Sequence, residues 1–382
     1  MPLDRRALED AKFYGKPVAI FFTSKNCAQC DQVYRTVSNN QEIKRRFITV
    51  ELRADDDLPY YIRLTRGVLP SVSVIDHEGN LLGIIESSNA DYVIEKLLLT
   101  YQRLDKLVRI NYSFVPPPRD FEIAEGLDVV NQVLSGLPGD FRVYEFLSWL
   151  ASTDQEYQLA LKAFRPLEKF SEALSRGKPV NLEEYSADWA IAVDLRLSKE
   201  FNRLLEFVNE DGSVKRGLGL ANSGVLSDQA YVGNALLDAY EATGESAYLE
   251  TAKKVFKWAL ENLSYEVGFR DFKPIDIITE KPLIDPLMNS EFALFSARLW
   301  LVSGLEEARK AAEKAISASA HSRGLLVLSR LTMAKLKLDY GYLAKECNSM
   351  QCEEIRNLEC QFKFRGNCYN SLSEFEENIR VF

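Results

Sequence analysis

Two cysteines three positions apart, in Cys27-Ala-Gln-Cys30, are the residues of this sequence best spaced for covalent chemistry. In a reducing compartment such a pair reads as redox or metal chemistry before it reads as a structural disulfide. Zinc would need two more ligands, and His77, one of only two histidines, falls in a turn far along the chain. The expectation is therefore a thiol site with no metal and no cofactor. Four more cysteines crowd the end as Cys347-x4-Cys352-x7-Cys360-x7-Cys368. Their spacing lacks CxxC knuckles, so two disulfides and four free thiols stand as equal readings, ahead of a metal site. Either Cys360 or Cys368 is also a conceivable internal exchange partner for the first pair.

The elements that must position Cys27 and Cys30 are legible around them. Lys16-Pro-Val-Ala-Ile-Phe-Phe-Thr23 is a β-branched and aromatic run suited to a strand buried on both faces. The pair follows at the start of a helical pattern with Val33 and Val37 on one face. Arg46–Leu52 is a second strand, Ser71–Asp76 a third, Glu78-Gly-Asn80 a turn and Leu81–Ile85 a fourth. A helix from about Asp91 to Leu107 closes the segment, giving βαβ, a hairpin and a helix.

This order, with a CxxC closing a buried strand and Pro70 before the third strand, resembles the thioredoxin fold. The resemblance implies a cis peptide at Pro70 and substrate pairing along the backbone at Leu69 and Pro70. It also implies that Cys27 is the exposed nucleophile and Cys30, one turn into the helix, the resolving thiol. A helix start favours the Cys27 thiolate through free N–H groups and the helix dipole, and Lys25 and Asn26 adjoin it. The family's tryptophan before the first cysteine is Asn26 here, and its buried proton-relaying acid is Phe21. Both departures weigh against efficient general disulfide reduction and keep open a domain that only binds partners.

Asn111-Tyr-Ser-Phe-Val-Pro-Pro-Pro-Arg119 reads as a linker. Beyond it the pattern is helical. Ala230–Tyr240 and Leu249–Leu263 meet at Thr243-Gly244, and Ser290–Val302 and Leu305–Ile316 meet at Ser303-Gly304, both helix stops. Recurring αα-hairpins suggest a toroid or solenoid. The chain resembles the spermatogenesis-associated protein 20-like family, in which a thioredoxin-like domain precedes an α/α toroid like that of six-hairpin glycosidases and sugar epimerases. The likeness lies in Leu226-Ser-Asp-Gln-Ala-Tyr231, Leu236–Gly244, Gly268-Phe-Arg-Asp-Phe272, Leu283-Ile-Asp-Pro-Leu-Met-Asn-Ser290, and Cys360 and Cys368 with Asn370–Phe375. Roughly 220 residues between linker and tail make four or five hairpins, fewer than six.

Glycoside hydrolysis needs two facing carboxylates. Asp228 and Asp285 sit at helix starts that an α/α toroid would turn toward its cavity, with Asn289 one turn beyond the second. An aspartate there is more commonly a cap. The region holds only His321, so a histidine acid–base mechanism of the epimerase kind is not expected.

The composition narrows the rest. A net charge of −9 argues against a nucleic-acid surface. No apolar run approaches the roughly 20 residues of a membrane span, and the opening residues lack the apolar core of a secretion signal. A cytoplasmic protein is the expectation. The sequence thus reads as a multidomain chain: an α/β thioredoxin-like domain (1–107), a Pro-rich linker (108–122), an all-α (α/α)-hairpin toroid-like domain (123–342) and a Cys-containing tail (343–382). The expected function is thiol–disulfide exchange, or redox-linked recognition, with a protein thiol or disulfide partner. The alternatives are a non-catalytic protein whose toroid recognises a carbohydrate or a protein and, behind it, a carbohydrate-active enzyme.

Overall fold

A computed structural model describes residues 5–25, 27–150, 155–167, 185–195, 197–220 and 222–340, and by backbone alone 362–364 and 367–369. The chain divides into two compact units. The first comprises Met1–Val115, Leu220–Asn222 and Phe272–Leu283, and the remaining residues form the second.

The first unit is α/β. Its elements are α1 (Arg5–Tyr14), β1 (Val18–Thr23), α2 (Ala28–Asn39), α3 (Gln41–Arg46), β2 (Ile48–Arg53), α4 (Leu58–Leu64), β3 (Ser71–Ile75), β4 (Leu81–Glu86) and α5 (Ala90–Gln102). The four strands expected from the sequence form one sheet in the order β2-β1-β3-β4, with β1 parallel to β2 and antiparallel to β3. β1 is buried along its whole length because its side chains feed two cores. Val18, Ile20 and Phe22 face Tyr60 and Leu64 of α4. Ala19 and Phe21, pointing the other way, pack with Val33 and Val37 of α2 and with Val93 and Leu97 of α5. The closing helix expected to reach Leu107 stops at Gln102, and Leu104–Lys106 continue as a single 3₁₀ turn.

Among the described residues of the second unit, the named elements before the tail are all helices. After a 3₁₀ turn at Ile123–Gly126, the α-helices are α6 (Leu127–Leu134), α7 (Phe141–Leu150), α8 (Gln155–Ala163), α9 (Ser186–Asp194), α10 (Asn202–Glu206), α11 (Leu226–Thr243), α12 (Ser246–Leu263), α13 (Pro286–Ser303), α14 (Glu306–Ser319) and α15 (Leu325–Tyr340). In the tail, β5 (Phe362–Phe364) pairs antiparallel with β6 (Asn367–Tyr369). The hairpin stops lie where glycine patterning puts them. Gly244 ends α11 at φ +76° and Gly304 ends α13 at φ +70°, a left-handed conformation that glycine adopts without Cβ strain. Both helices are buried over most of their circumference. From Asn289 to Leu299 every residue of α13 is buried, and a Cβ on Gly233 of α11 would lie 2.5 Å from the Phe295 ring.

Candidate functional site

Cys27 is the N-cap of α2, and its Sγ accepts a hydrogen bond from the Cys30 amide at 3.2 Å. The Cys27 carbonyl takes the first helical bonds, from Cys30 N at 3.0 Å and Asp31 N at 3.3 Å. The two sulfurs are joined as a disulfide, with Cα atoms 5.2 Å apart. Their surroundings differ. Cys30 is buried at 2% exposure, whereas Cys27 is partly exposed. A nucleophile that arrives from solvent therefore meets Cys27 first. On reduction, a thiolate there gains from the unpaired amides and dipole of a helix of 12 residues.

Sheet register brings Pro70 to the same edge. Ser71 pairs with Phe22 near the end of β1, so the residue before Ser71 lies at the end from which the chain runs on to Cys27. The Leu69–Pro70 peptide is cis. Pro70 is buried and Leu69 half-buried, and Val68 and Gly67 lead into them exposed. Asn26 lies outside the described residues. Lys25 is exposed, and its amide donates to Asp55 Oδ2 at 3.0 Å.

Phe21 is a packed core residue whose ring lies 5.4 Å from that of Tyr34. Directly across the parallel register from it stands Glu51. That carboxylate accepts from Thr23 Oγ1 at 2.9 Å. Partial burial, and then the Glu51 charge, push the Tyr34 phenol up. No motif in the sequence marks this Thr23–Glu51 pair. The available signal was the alternation of Thr49, Glu51 and Arg53 along β2.

In the helical unit the expected cavity residues hold the structure together. Asp285 caps α13, accepting from Met288 N at 2.8 Å. One turn on, Asn289 accepts from Phe269 N at 2.8 Å and donates to the carbonyls of Phe269 and Asp285, each at 2.9 Å. It thereby fastens the turn after Gly268 to the start of α13. Asp228, in the first turn of α11, is fully buried. Its Oδ1 meets Arg216 Nη1 at 3.3 Å, and burial, outweighing Arg216, pushes its carboxyl up. His321 sits half-buried in the turn before α15, where burial pulls its imidazole down. Cys347, Cys352 and Cys360 lie outside the described residues, as does the side chain of Cys368 in β6.

A larger group of charges went unnoticed in the sequence. Arg330 of α15, 2% exposed, bonds Glu145 of α7 and reaches Glu291 of α13 at 3.1 Å and Asp194 of α9 at 3.8 Å. Arg142 of α7 bonds Glu291, Asp140 and the Tyr231 hydroxyl. Arg298 of α13 bonds Asp238 at 2.5 Å and Glu241 at 3.1 Å. Around them lies a small cavity lined by Phe141, Asp194, Tyr231, Asn234, Glu291 and Arg330. Burial, then the charges of Glu145 and Asp238, push Asp194 well above the usual carboxylate range. For Glu145 burial acts the same way and is the largest single effect, but Arg330, Arg298 and Asp194 together outweigh it and hold the carboxyl low. The two carboxyls are thus pushed in opposite directions within one buried cluster. The arrangement is a set of carboxyls held among three buried arginines.

No family model matches the chain, and no curated protein matches it. Among solved structures, the Lin0763 protein of Listeria innocua is similar at a TM-score of 0.32 and 14% identity, over 58% of this chain and 87% of its own.

Proposed function

We propose that the α/β unit is a thioredoxin-like module that exchanges a disulfide with a protein partner through Cys27 and Cys30, and that the helical unit is an α/α-hairpin toroid of the spermatogenesis-associated protein 20-like kind. The observation that carries the reading is the asymmetry of the pair: an accessible sulfur at a helix start, bonded to a sealed one a single turn inside. The strand order β2-β1-β3-β4 and the cis Leu69–Pro70 bond at the same sheet edge support it.

In the reduced protein the Cys27 thiolate attacks a partner disulfide. A Cys27–partner disulfide forms and one partner thiolate leaves. The Cys30 thiol gives its proton to the departing partner thiolate or to solvent, and its sulfur attacks Cys27 Sγ. The Cys27–Cys30 disulfide forms and the second partner thiolate is released. Two electrons pass to the partner, and the reverse sequence oxidises a partner dithiol. Leu69 and Pro70 are the backbone against which the partner lies. A cytoplasmic setting supplies the thiols that return the pair to its reduced form.

The test is turnover of an insulin or peptide disulfide with a dithiol reductant. Wild type is expected to accelerate reduction and Cys27→Ser to abolish the acceleration. Equal rates for the two proteins would refute the proposal.

A further inference from the structure

The α/β unit is not built from the N-terminal residues alone. Phe272–Leu283 lies in the sequence between α12 and α13, yet packs as part of this unit. The loop is folded on itself first. Asp276 Oδ1 accepts from the amides of Ile278 and Thr279 at 3.1 and 2.9 Å and from Thr279 Oγ1 at 2.9 Å. Thr279 Oγ1 in turn accepts from the amides of Ile275 and Asp276. This turn presents Ile278 outward as a fully buried knob in the core of Val18, Ile20, Phe22, Tyr60, Leu64 and Tyr112.

Polar contacts join the loop to the rest of the unit beside the knob. The other Asp276 oxygen, Oδ2, takes the Tyr60 hydroxyl of α4. Lys281 Nζ donates to Asn80 Oδ1 at 3.3 Å and lies over the Tyr112 ring. Tyr112 itself donates to the Gly79 carbonyl at 2.6 Å. Gly79 suits its place: its φ of +72° would strain a larger residue, and a Cβ there would stand a tight 3.2 Å from the Ile277 side chain. Pro282 O accepts from Ser113 Oγ at 2.7 Å and from Phe114 N at 3.0 Å.

We propose that this face of the α/β unit is a receptor for one loop, supplied in cis by Phe272–Leu283, and that the loop holds α4 and the turn after it in place. The link runs from Asp276 through Tyr60 into α4. From there Thr65 Oγ1 donates to Tyr61 O at 2.7 Å and accepts from Gly67 N at 3.1 Å, while Ser73 Oγ donates to Leu64 O. These bonds bracket Leu69 and Pro70. The proposal does not rest on the exchange chemistry and survives if that reading fails.

The test is hydrogen exchange on the full-length chain carrying Ile278→Ala, Ile278→Val, Asp276→Ala or Asp276→Asn. Removing most of a buried isoleucine costs enough to speed opening about thirtyfold or more, and removing one methyl only several-fold. Amides of α4 and β1 are expected to exchange faster in that order. Those of α11 and α13 should stay within about twofold of wild type. Asp276→Asn, which keeps an acceptor for the turn and a donor for Tyr60, is expected to retain most of the protection that Asp276→Ala loses. Unchanged exchange in α4 would overturn the inference. So would an equal rise in α11 and α13, since the loop would then be a general stabiliser rather than the fitted partner of one face.

Discussion

Replacing Arg330 by methionine keeps an unbranched stem but deletes the guanidinium and its charge. The guanidinium is 2% exposed and faces Glu145, Glu291 and Asp194. Glu291 is itself buried at 1% exposure, so the charge left behind is poorly solvated. Breaking a buried ion pair by removing one partner typically costs about 3–5 kcal/mol, most of it from the charge left behind. Glu291 retains Arg142, which moderates the loss, while Glu145 loses the arginine bonded to it. The expected destabilisation therefore lies toward about 3 kcal/mol. For a helical unit of this size each kcal/mol lowers the midpoint by about 2–4 °C, a drop of about 6–12 °C. Calorimetry, with helicity followed in parallel, reads it directly. Arg330→Met combined with Glu145→Gln should recover part of the loss. A single variant that unfolds within about 1 kcal/mol of wild type would refute the claim that these charges are sealed from solvent.

Burial beside Glu145 and Asp238 raises the Asp194 carboxyl in the folded state above its unfolded value of about 4. The folded chain then holds a proton that the unfolded chain releases, so this group's contribution to stability is complete below about pH 4 and declines as pH rises through the folded pKa. Asp194→Asn, which removes the titrating group, is expected to gain on wild type in urea titrations from pH 4 toward neutrality; a constant deficit across that range contradicts a raised carboxyl there. Burial also pushes the Tyr112 and Tyr231 phenols well above the ordinary tyrosine range. Ultraviolet titration between pH 9 and 11 should give the same amplitude for Tyr231→Phe as for wild type, and loss of one tyrosine's amplitude would show that the ring is accessible. Gly233→Ala sets a methyl against the Phe295 ring. Despite the better helix propensity of alanine it is expected to destabilise by about 1–3 kcal/mol, and a rise in midpoint would contradict the packing.

What could be read from the sequence was local. The unbroken apolar run of β1 announces a strand between two cores. Gly244 and Gly304 announce helix ends because left-handed backbone there needs no side chain. Cys27 at a helix start and Pro70 before a strand are likewise features of a few adjacent residues. Other features depend on partners far along the chain. Glu291 and Arg298 look like ordinary polar positions of a helix until α13 is seen to be buried from Asn289 to Leu299. Ile278 would look the same whichever core it entered, and only the fold shows that it enters the α/β one. Asp285 and Asn289 had the right residue types for a cavity, but their side chains are taken up by a cap and by the turn after Gly268.

The exchange proposal is tested most directly by trapping. Reduced Cys30→Ser protein is mixed with a peptide disulfide, quenched with acid and mapped by mass. The account predicts a stable adduct of one peptide half at Cys27, formed faster than at any other cysteine and absent from Cys27→Ser. An adduct distributed over the tail cysteines with Cys27 unmodified would contradict it.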